Sequence, residues 1–141
     1  MVSVQRYSRT VGFVNNNPTN IRYSTSNKWQ GQTGSKKGFC VFSAQSYAFR
    51  ATALILFKYI DRGANTLEKM IARWAPETEN NTEAYIRFVS KATGIPRKMA
   101  ISKYNRVFFV GIMTAMSRME CAGYVPDRKT VEIGYDLAVT E

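Results

Sequence analysis

The sequence predicts an α+β fold that is mostly helical, with one small β-element early in the chain. Two observations support this prediction. Short runs of Ile, Tyr, Trp, Phe and Val, separated by clusters of Ser, Asn and Gly, fill residues 21–42, as is typical of a β-hairpin or a three-stranded β-element. From residue 43 onward, apolar residues recur at helical spacing. The 141 residues have the length of one domain, and we predict a single domain over residues 1–141.

The first two predicted helices are bounded by capping and terminating residues. Ser43 is the predicted N-cap of the first helix, which ends at Gly63. Asn65 or Thr66 begins the second helix, and Pro76 ends it because proline cannot continue a helix.

Three more helices are predicted in the second half of the chain. Thr82 is the predicted N-cap of the first of them, which ends at Gly94. One long, strongly apolar helix is predicted over residues 97–121, and a last helix over residues 127–141.

The chain is strongly basic. It has 20 Lys and Arg residues against 10 Asp and Glu, a formal net charge of +10, which favours a polyanionic partner such as nucleic acid, an anionic membrane or the acidic bacterial envelope. The basic residues are scattered singly or in pairs, which argues against dedicated nucleic-acid binding. No stretch approaches the roughly 18 apolar residues of a membrane span, so membrane insertion is not expected. The first ten residues lack the features of a secretory signal.

The cysteine and histidine content excludes several kinds of site. The chain has no histidine, and its two cysteines, Cys40 and Cys121, are not in a metal-ligand spacing. Zinc, haem and every catalytic triad that contains histidine are therefore excluded, and no metal or other cofactor is expected. Two buried thiols are favoured over a disulfide.

Glu120 is an acidic residue on the most apolar stripe of the long predicted helix. Counting back from it at helical spacing gives Ser117, Met116, Met113, Ile112 and Phe109. An apolar environment raises the pKa of a carboxyl group, so that it holds a proton near neutral pH, as a general acid must. Glu120 is therefore the candidate general acid. The alternative is a residue at a helix end that points into solvent or pairs with Arg118 or Arg128.

Several motifs follow one another in a fixed order. They are NNNPTNIRY at 15–23, WQGQTG at 29–34, GFCVFSAQSYAFRA at 38–51, IARWAPETENNTEAYIRFVSKATGI at 71–95, and MECAGYVP at 119–126 leading into IGYDLA. In this order they resemble a family of phage virion-associated peptidoglycan-degrading proteins with lysozyme-like or lytic-transglycosylase-like character. The resemblance spans nearly the whole chain. It implies a lysozyme-like domain in which the β-element packs against a helical lobe, and peptidoglycan glycan strands as the partner.

The resemblance also implies roles for individual residues. Glu120 matches the general acid of the family, and Glu79 matches the acid of a polar loop, where it is a candidate second carboxylate beside Glu77. Amide side chains suit N-acetyl and hydroxyl groups, and aromatic rings stack on sugars. The residues implied to bind substrate are Asn17, Asn20, Arg22, Tyr23, Trp29, Asn80 and Tyr85.

The chain departs from the family pattern in two places. Thr19 stands where the family has glycine, so the loop must differ here if that glycine has a positive φ. Around Glu120, MECAG replaces an ending of the type His-Glu-Asn-Gly.

Several functions stay open from the sequence. A retaining hydrolase needs a second carboxylate about 5 Å from Glu120 and an inverting one about 6.5–9.5 Å away, whereas a lytic transglycosylase uses groups of the substrate instead. A phage virion or injected protein that binds peptidoglycan or another subunit without cutting is the alternative, and a nucleic-acid-binding protein is a third. We expect synthesis in the bacterial cytoplasm, and action in the periplasm or cell wall or carriage in a virion, with virion or secretion components as further candidate partners.

Overall fold

The structure is a computed structural model that describes residues 2–140. It is mostly helical with one small antiparallel sheet, which confirms the predicted fold class. The elements in chain order are a 3₁₀ helix (Val2–Arg9), α1 (Val11–Val14), β1 (Gln32–Lys36), β2 (Phe39–Phe42), α2 (Gln45–Asp61), α3 (Leu67–Trp74), α4 (Thr82–Thr93), α5 (Arg106–Glu120) and α6 (Arg128–Val139). The predicted domain of residues 1–141 includes Met1 and Glu141, which lie outside the described residues.

The early β-element is a hairpin of β1 and β2, to which the Asn-rich loop adds a single bridge between Arg22 and Phe39. Strand β1 is largely exposed, whereas β2 alternates and buries Cys40 and Phe42. The buried face of β2 packs on α2 through a small cluster made of Ile21, Cys40, Phe42, Ala48 and Ala51. This cluster joins the β-element to the rest of the protein.

The helical lobe is built around α2, which packs along α6. The two helices approach closely at Gly134, where an added Cβ would lie 2.5 Å from Cβ of Phe49 and 2.7 Å from the carbonyl oxygen of Ser46. Helices α3, α4 and α5 complete a single core. Its largest fully buried side chains are those of Phe49, Leu56, Leu67, Met70, Ile71, Val89, Ile95, Phe109, Ile112, Met113 and Met116.

Two of the predicted helix starts differ by one residue from the observed ones. Ala44, not Ser43, is the N-cap of α2, and it makes no side-chain capping bond. Asn81, not Thr82, caps α4, because its side chain accepts a hydrogen bond from the backbone N–H of Ala84. Thr66 caps α3 as predicted.

The long helix predicted over residues 97–121 is shorter than expected, since α5 begins only at Arg106. The side chain of Asn105 caps it by accepting from the N–H of Phe108. In the irregular segment that precedes it, Ile101 is buried in the core and its N–H donates to the carbonyl oxygen of Asn65. The sequence pattern missed this break because apolar residues continue on both sides of it.

Both cysteines are free and buried, which confirms the prediction of two buried thiols. Sγ of Cys121 lies 3.0 Å from Oγ1 of Thr10. Within residues 2–140, no group of three or more Cys, Asp or Glu side chains is arranged to hold a metal ion. In the same range, no helix is long and apolar enough to span a membrane.

Candidate functional site

A cleft of about 870 Å³ separates the Asn-rich loop and β-element from the helical lobe. Asn20, Arg22 and Trp29 line it from the first side. Glu79 and Glu120 line it from the helical side. The cleft therefore brings together residues that are far apart in the sequence, including both candidate carboxylates.

Glu120 is the last residue of α5 and lies half-buried in the cleft. Its Oε2 atom accepts two hydrogen bonds, from Nε1 of Trp74 at 3.1 Å and from the hydroxyl of Tyr85 at 3.0 Å. These donors come from α3 and α4, so three helices meet at one carboxylate. The residues that precede Glu120 on its helix face are buried, as predicted: Phe109, Ile112, Met113, Met116 and Ser117.

The environment of Glu120 favours its protonated form. Burial raises the pKa of this carboxyl group above its usual value. Hydrogen bonds from Trp74, Tyr85 and Asn20, and the charge of Arg22, oppose this effect, but the pKa remains raised. Burial and the neighbouring Glu120 charge also raise the pKa of Tyr85 well above its usual value, so its phenol remains a hydrogen-bond donor.

The alternative of a solvent-exposed Glu120 paired with an arginine is wrong. The guanidinium of Arg118 lies over the ring of Phe88, and Arg128 pairs with Glu132 on its own helix. The carboxylate of Glu120 instead faces the cleft and the donors described above.

Asn17 was predicted to bind substrate, but the structure places it in the interior of the loop. Its side chain is fully buried. Nδ2 donates to the carbonyl oxygens of Ile21 and Cys40, and Oδ1 accepts from the N–H of Ile21. These bonds hold the loop together and fasten it to β2 at Cys40, so the buried side chain presents no surface to a substrate.

Thr19, which replaces a glycine of the family pattern, has no positive φ. The left-handed positions of the loop are Asn16 and Asn20, with φ of 54° and 62°. Thr19 is buried, and its hydroxyl lies 2.7 Å from that of Thr52 on α2. The threonine is therefore accommodated, and it ties the loop to the helical lobe.

Arg22 and Glu79 form an ion pair between the two sides of the cleft. Nη2 of Arg22 lies 3.2 Å from Oε1 of Glu79, and the two side chains are 72% and 60% exposed. Exposed pairs of this kind contribute less than about 1 kcal/mol. The pair therefore closes the cleft weakly, and a ligand that enters can separate the two residues at little cost.

Of the other predicted site residues, some line the cleft and others lie beside it or outside its lining. Trp29 and Asn80 line the cleft as expected. Tyr23 lies beside it, in a shallow groove of about 250 Å³ that shares Trp29 with the main cleft. Tyr85 is only 4% exposed, and its hydroxyl donates to Glu120 rather than facing the open cleft. Glu77 is exposed and is not among the residues that line the cleft.

Comparison with known proteins identifies the family. The sequence matches no protein-family model. It is 40% identical over 114 residues to Protein P5 of Pseudoalteromonas phage PM2, an alignment that covers 77% of this chain and 69% of P5. The chain belongs to the P5 family of phage proteins. This relationship agrees with the phage origin that the motifs imply.

Trp74 is a residue of the candidate site that the sequence prediction missed. Its position on the apolar face of α3 indicated only a core residue. A signal was nonetheless present, because a partly buried indole N–H needs an acceptor, and such acceptors are often carboxylates or carbonyl groups. Lys58 on α2 and Tyr104 just before α5 also line the cleft, and both were missed because no motif marks them.

Replacement of Tyr85 by phenylalanine is expected to raise the pKa of Glu120 further. The change removes a hydroxyl donor that favours the ionised carboxylate and leaves the ring in place. Carbon-detected NMR titration of the Glu120 carboxyl group measures the effect. Tyr135→Phe is the matched control, because that buried hydroxyl donates to the carbonyl oxygen of Lys103 instead. Equal titration midpoints in wild type and Tyr85→Phe would contradict the assigned contact.

Proposed function

We propose that this P5-family protein cleaves peptidoglycan glycan strands at the β-1,4 bond between N-acetylmuramic acid and N-acetylglucosamine. The observation that carries the proposal is one carboxyl group with a raised pKa, held by two donors inside a cleft between a small β-element and a helical lobe. A glycan strand fits such a cleft because amide and aromatic side chains line it.

Glu120 would act as the general acid. Both helical donors bond to Oε2, which leaves Oε1 as the atom that carries the proton in the neutral form. In the reaction this proton passes to the glycosidic oxygen as the C1–O bond breaks, and the bonding electron pair goes to that oxygen. The sugar left behind has oxocarbenium character, and Glu120 becomes a carboxylate that can later accept a proton.

Two routes complete the reaction, and they differ in the group that attacks C1. In a hydrolase, water attacks, and Glu79 is the carboxylate on the cleft wall that would position it once Arg22 is displaced by substrate. In a lytic transglycosylase, the 6-hydroxyl of the muramic acid attacks its own C1, and Glu120 accepts the proton of that hydroxyl. The second route needs no other carboxylate.

A second candidate function is binding of peptidoglycan, or of another phage component, without cleavage. The observation that favours it is membership of a phage protein family together with the engagement of Glu79 by Arg22. The same cleft would then serve as a binding groove, and Glu120 would be a buried polar contact for an amide or hydroxyl group of the ligand.

Incubation of the purified protein with Gram-negative peptidoglycan, followed by mass spectrometry of the products, separates these functions. We expect cleavage by wild type and none by Glu120→Gln. Anhydro-muropeptides would indicate a transglycosylase, and reducing-end muramic acid a hydrolase. Glu77→Gln is the matched control, since it removes an exposed loop carboxylate outside the cleft lining. Sedimentation of wild type with the sacculus without any product would refute cleavage and support the binding function.

A further inference from the structure

Asn20 combines two unfavourable features at one residue. Its backbone is left-handed, with a φ of 62°, which is uncommon for a residue other than glycine. In addition, its Oδ1 atom is buried and has no hydrogen-bond partner within the described residues. A buried amide oxygen without a partner is unfavourable, and a left-handed backbone costs more in asparagine than in glycine; such features persist where the surrounding structure holds them and where they serve a function.

The surrounding loop fixes Asn20 from both sides. Its own N–H donates to the carbonyl oxygen of Asn17, and the next N–H, of Ile21, donates to Oδ1 of Asn17. Gly12 leaves room for the side chain, because a Cβ at that position would lie only 3.2 Å from Oδ1 of Asn20. These hydrogen bonds fix the backbone on both sides of Asn20, and Gly12 leaves the space that its side chain occupies.

Asn20 and Glu120 line the same cleft, and the side-chain amide of Asn20 is one of the groups that lower the pKa of Glu120 by hydrogen bonding to its carboxylate. A carboxylate only accepts, so the Asn20 nitrogen must donate, and this orientation is the one that leaves Oδ1 without a partner. The bond also reaches Glu120 from the loop side of the cleft, whereas Trp74 and Tyr85 reach it from the helical side. Asn20 thus completes a set of donors that encloses the carboxylate.

We propose that Asn20 is a positioning residue for Glu120, held in an unfavourable conformation so that its amide donates to that carboxylate from the loop side. Its effect on cleavage rests on the function proposed above, but its effect on the titration of Glu120 does not. The proposal replaces the substrate-binding role that the motif resemblance implies for Asn20.

Asn16 provides a matched comparison within the same loop. Its backbone is also left-handed, with a φ of 54°, but its amide donates to the carbonyl oxygen of Phe42, in the β-element. Glycine adopts this backbone conformation without strain, so Asn16→Gly and Asn20→Gly remove one amide each and create no steric conflict. Asn16→Gly removes the donor to the carbonyl oxygen of Phe42, whereas Asn20→Gly removes the donor to Glu120.

The test measures the Glu120 titration midpoint by carboxyl-carbon NMR, the melting temperature, and the rate of peptidoglycan cleavage in both variants. In Asn20→Gly we expect a midpoint at higher pH, a melting temperature equal to or above that of wild type, and a kcat lower by about 10- to 100-fold. In Asn16→Gly we expect a lower melting temperature with the midpoint and kcat unchanged. Asn20→Asp, which replaces the donor by a second carboxylate of similar shape, should raise the midpoint most.

An unchanged Glu120 midpoint in Asn20→Gly and Asn20→Asp would overturn the proposal, because a residue that only shapes the loop would not alter that titration. Equal losses of kcat in Asn16→Gly and Asn20→Gly would overturn it as well. If wild type cleaves nothing, the proposed function fails, while a midpoint raised only in the Asn20 variants still supports the contact between Asn20 and Glu120.

Discussion

Replacement of Gly134 by alanine is expected to destabilise the protein by about 3 kcal/mol or more. The added Cβ would lie within 3 Å of three atoms of α2, namely Cβ of Phe49, the carbonyl oxygen of Ser46 and the backbone nitrogen of Arg50. Two of these atoms are backbone and cannot move aside by a side-chain rotation. The α2–α6 interface would have to separate, which exposes the centre of the core.

Gly111→Ala is the matched control for this prediction, because Gly111 also lies inside a helix, α5. An added Cβ there meets only the side chain of Thr93, at 3.5 Å, which is ordinary contact. Alanine is the better helix former, so we expect this variant to be more stable by about 0.5–1 kcal/mol. Denaturant unfolding measures both changes. A Gly134→Ala variant as stable as wild type would mean that α2 and α6 are not packed as described.

Replacement of Glu120 by glutamine is expected to lower the rate of glycan cleavage by about 100- to 10,000-fold, the usual contribution of a general acid. Glutamine keeps the shape of the side chain and an oxygen that accepts from Trp74 and Tyr85, but it has no acidic proton to give. The wild-type rate should fall as the pH rises through the raised pKa of Glu120, since only the protonated form is active in the first step.

The same substitution is expected to stabilise the fold at neutral pH. Because burial raises the pKa of Glu120, the folded state binds this proton more tightly than the unfolded state does. The stability from the bound proton is fully present below the ordinary carboxyl pKa and is lost as the pH rises through the raised value. Glu120→Gln should therefore match wild type in acid and exceed it near pH 7. Melting temperatures across this range measure the effect, and a constant difference at all pH values would contradict it.

The sequence predicts the features of this protein that depend on local patterns. Helical spacing alone placed Glu120 on a buried stripe, and the five buried neighbours on α5 follow from the same periodicity. Asn17 shows where such reasoning ends. An asparagine beside a proline indicates a loop, but whether its amide points into the core or into a cleft depends on β2, which is 23 residues away at Cys40.

The contacts of Glu120 were not predictable for the same reason. Trp74 and Tyr85 lie 46 and 35 residues before it, and neither the helical position of Trp74 nor the substrate role implied for Tyr85 indicated a contact with Glu120. The start of α5 was mispredicted because apolar residues continue through the segment before Arg106, where Ile101 is buried without being helical. Local sequence patterns thus predict the helices and strands and which of their faces are buried. Long-range packing determines which polar groups come into contact.

The donors of Glu120 are all distant in sequence, and this has a consequence for the order of folding. Contacts that close long loops form late, after local helices and hairpins. Until α3 and α4 dock on α5, Glu120 is an ordinary hydrated acid at a helix end. No fragment that lacks the Asn-rich loop, α3 or α4 can reproduce its environment, so the property that distinguishes this carboxylate emerges only in the fully folded chain.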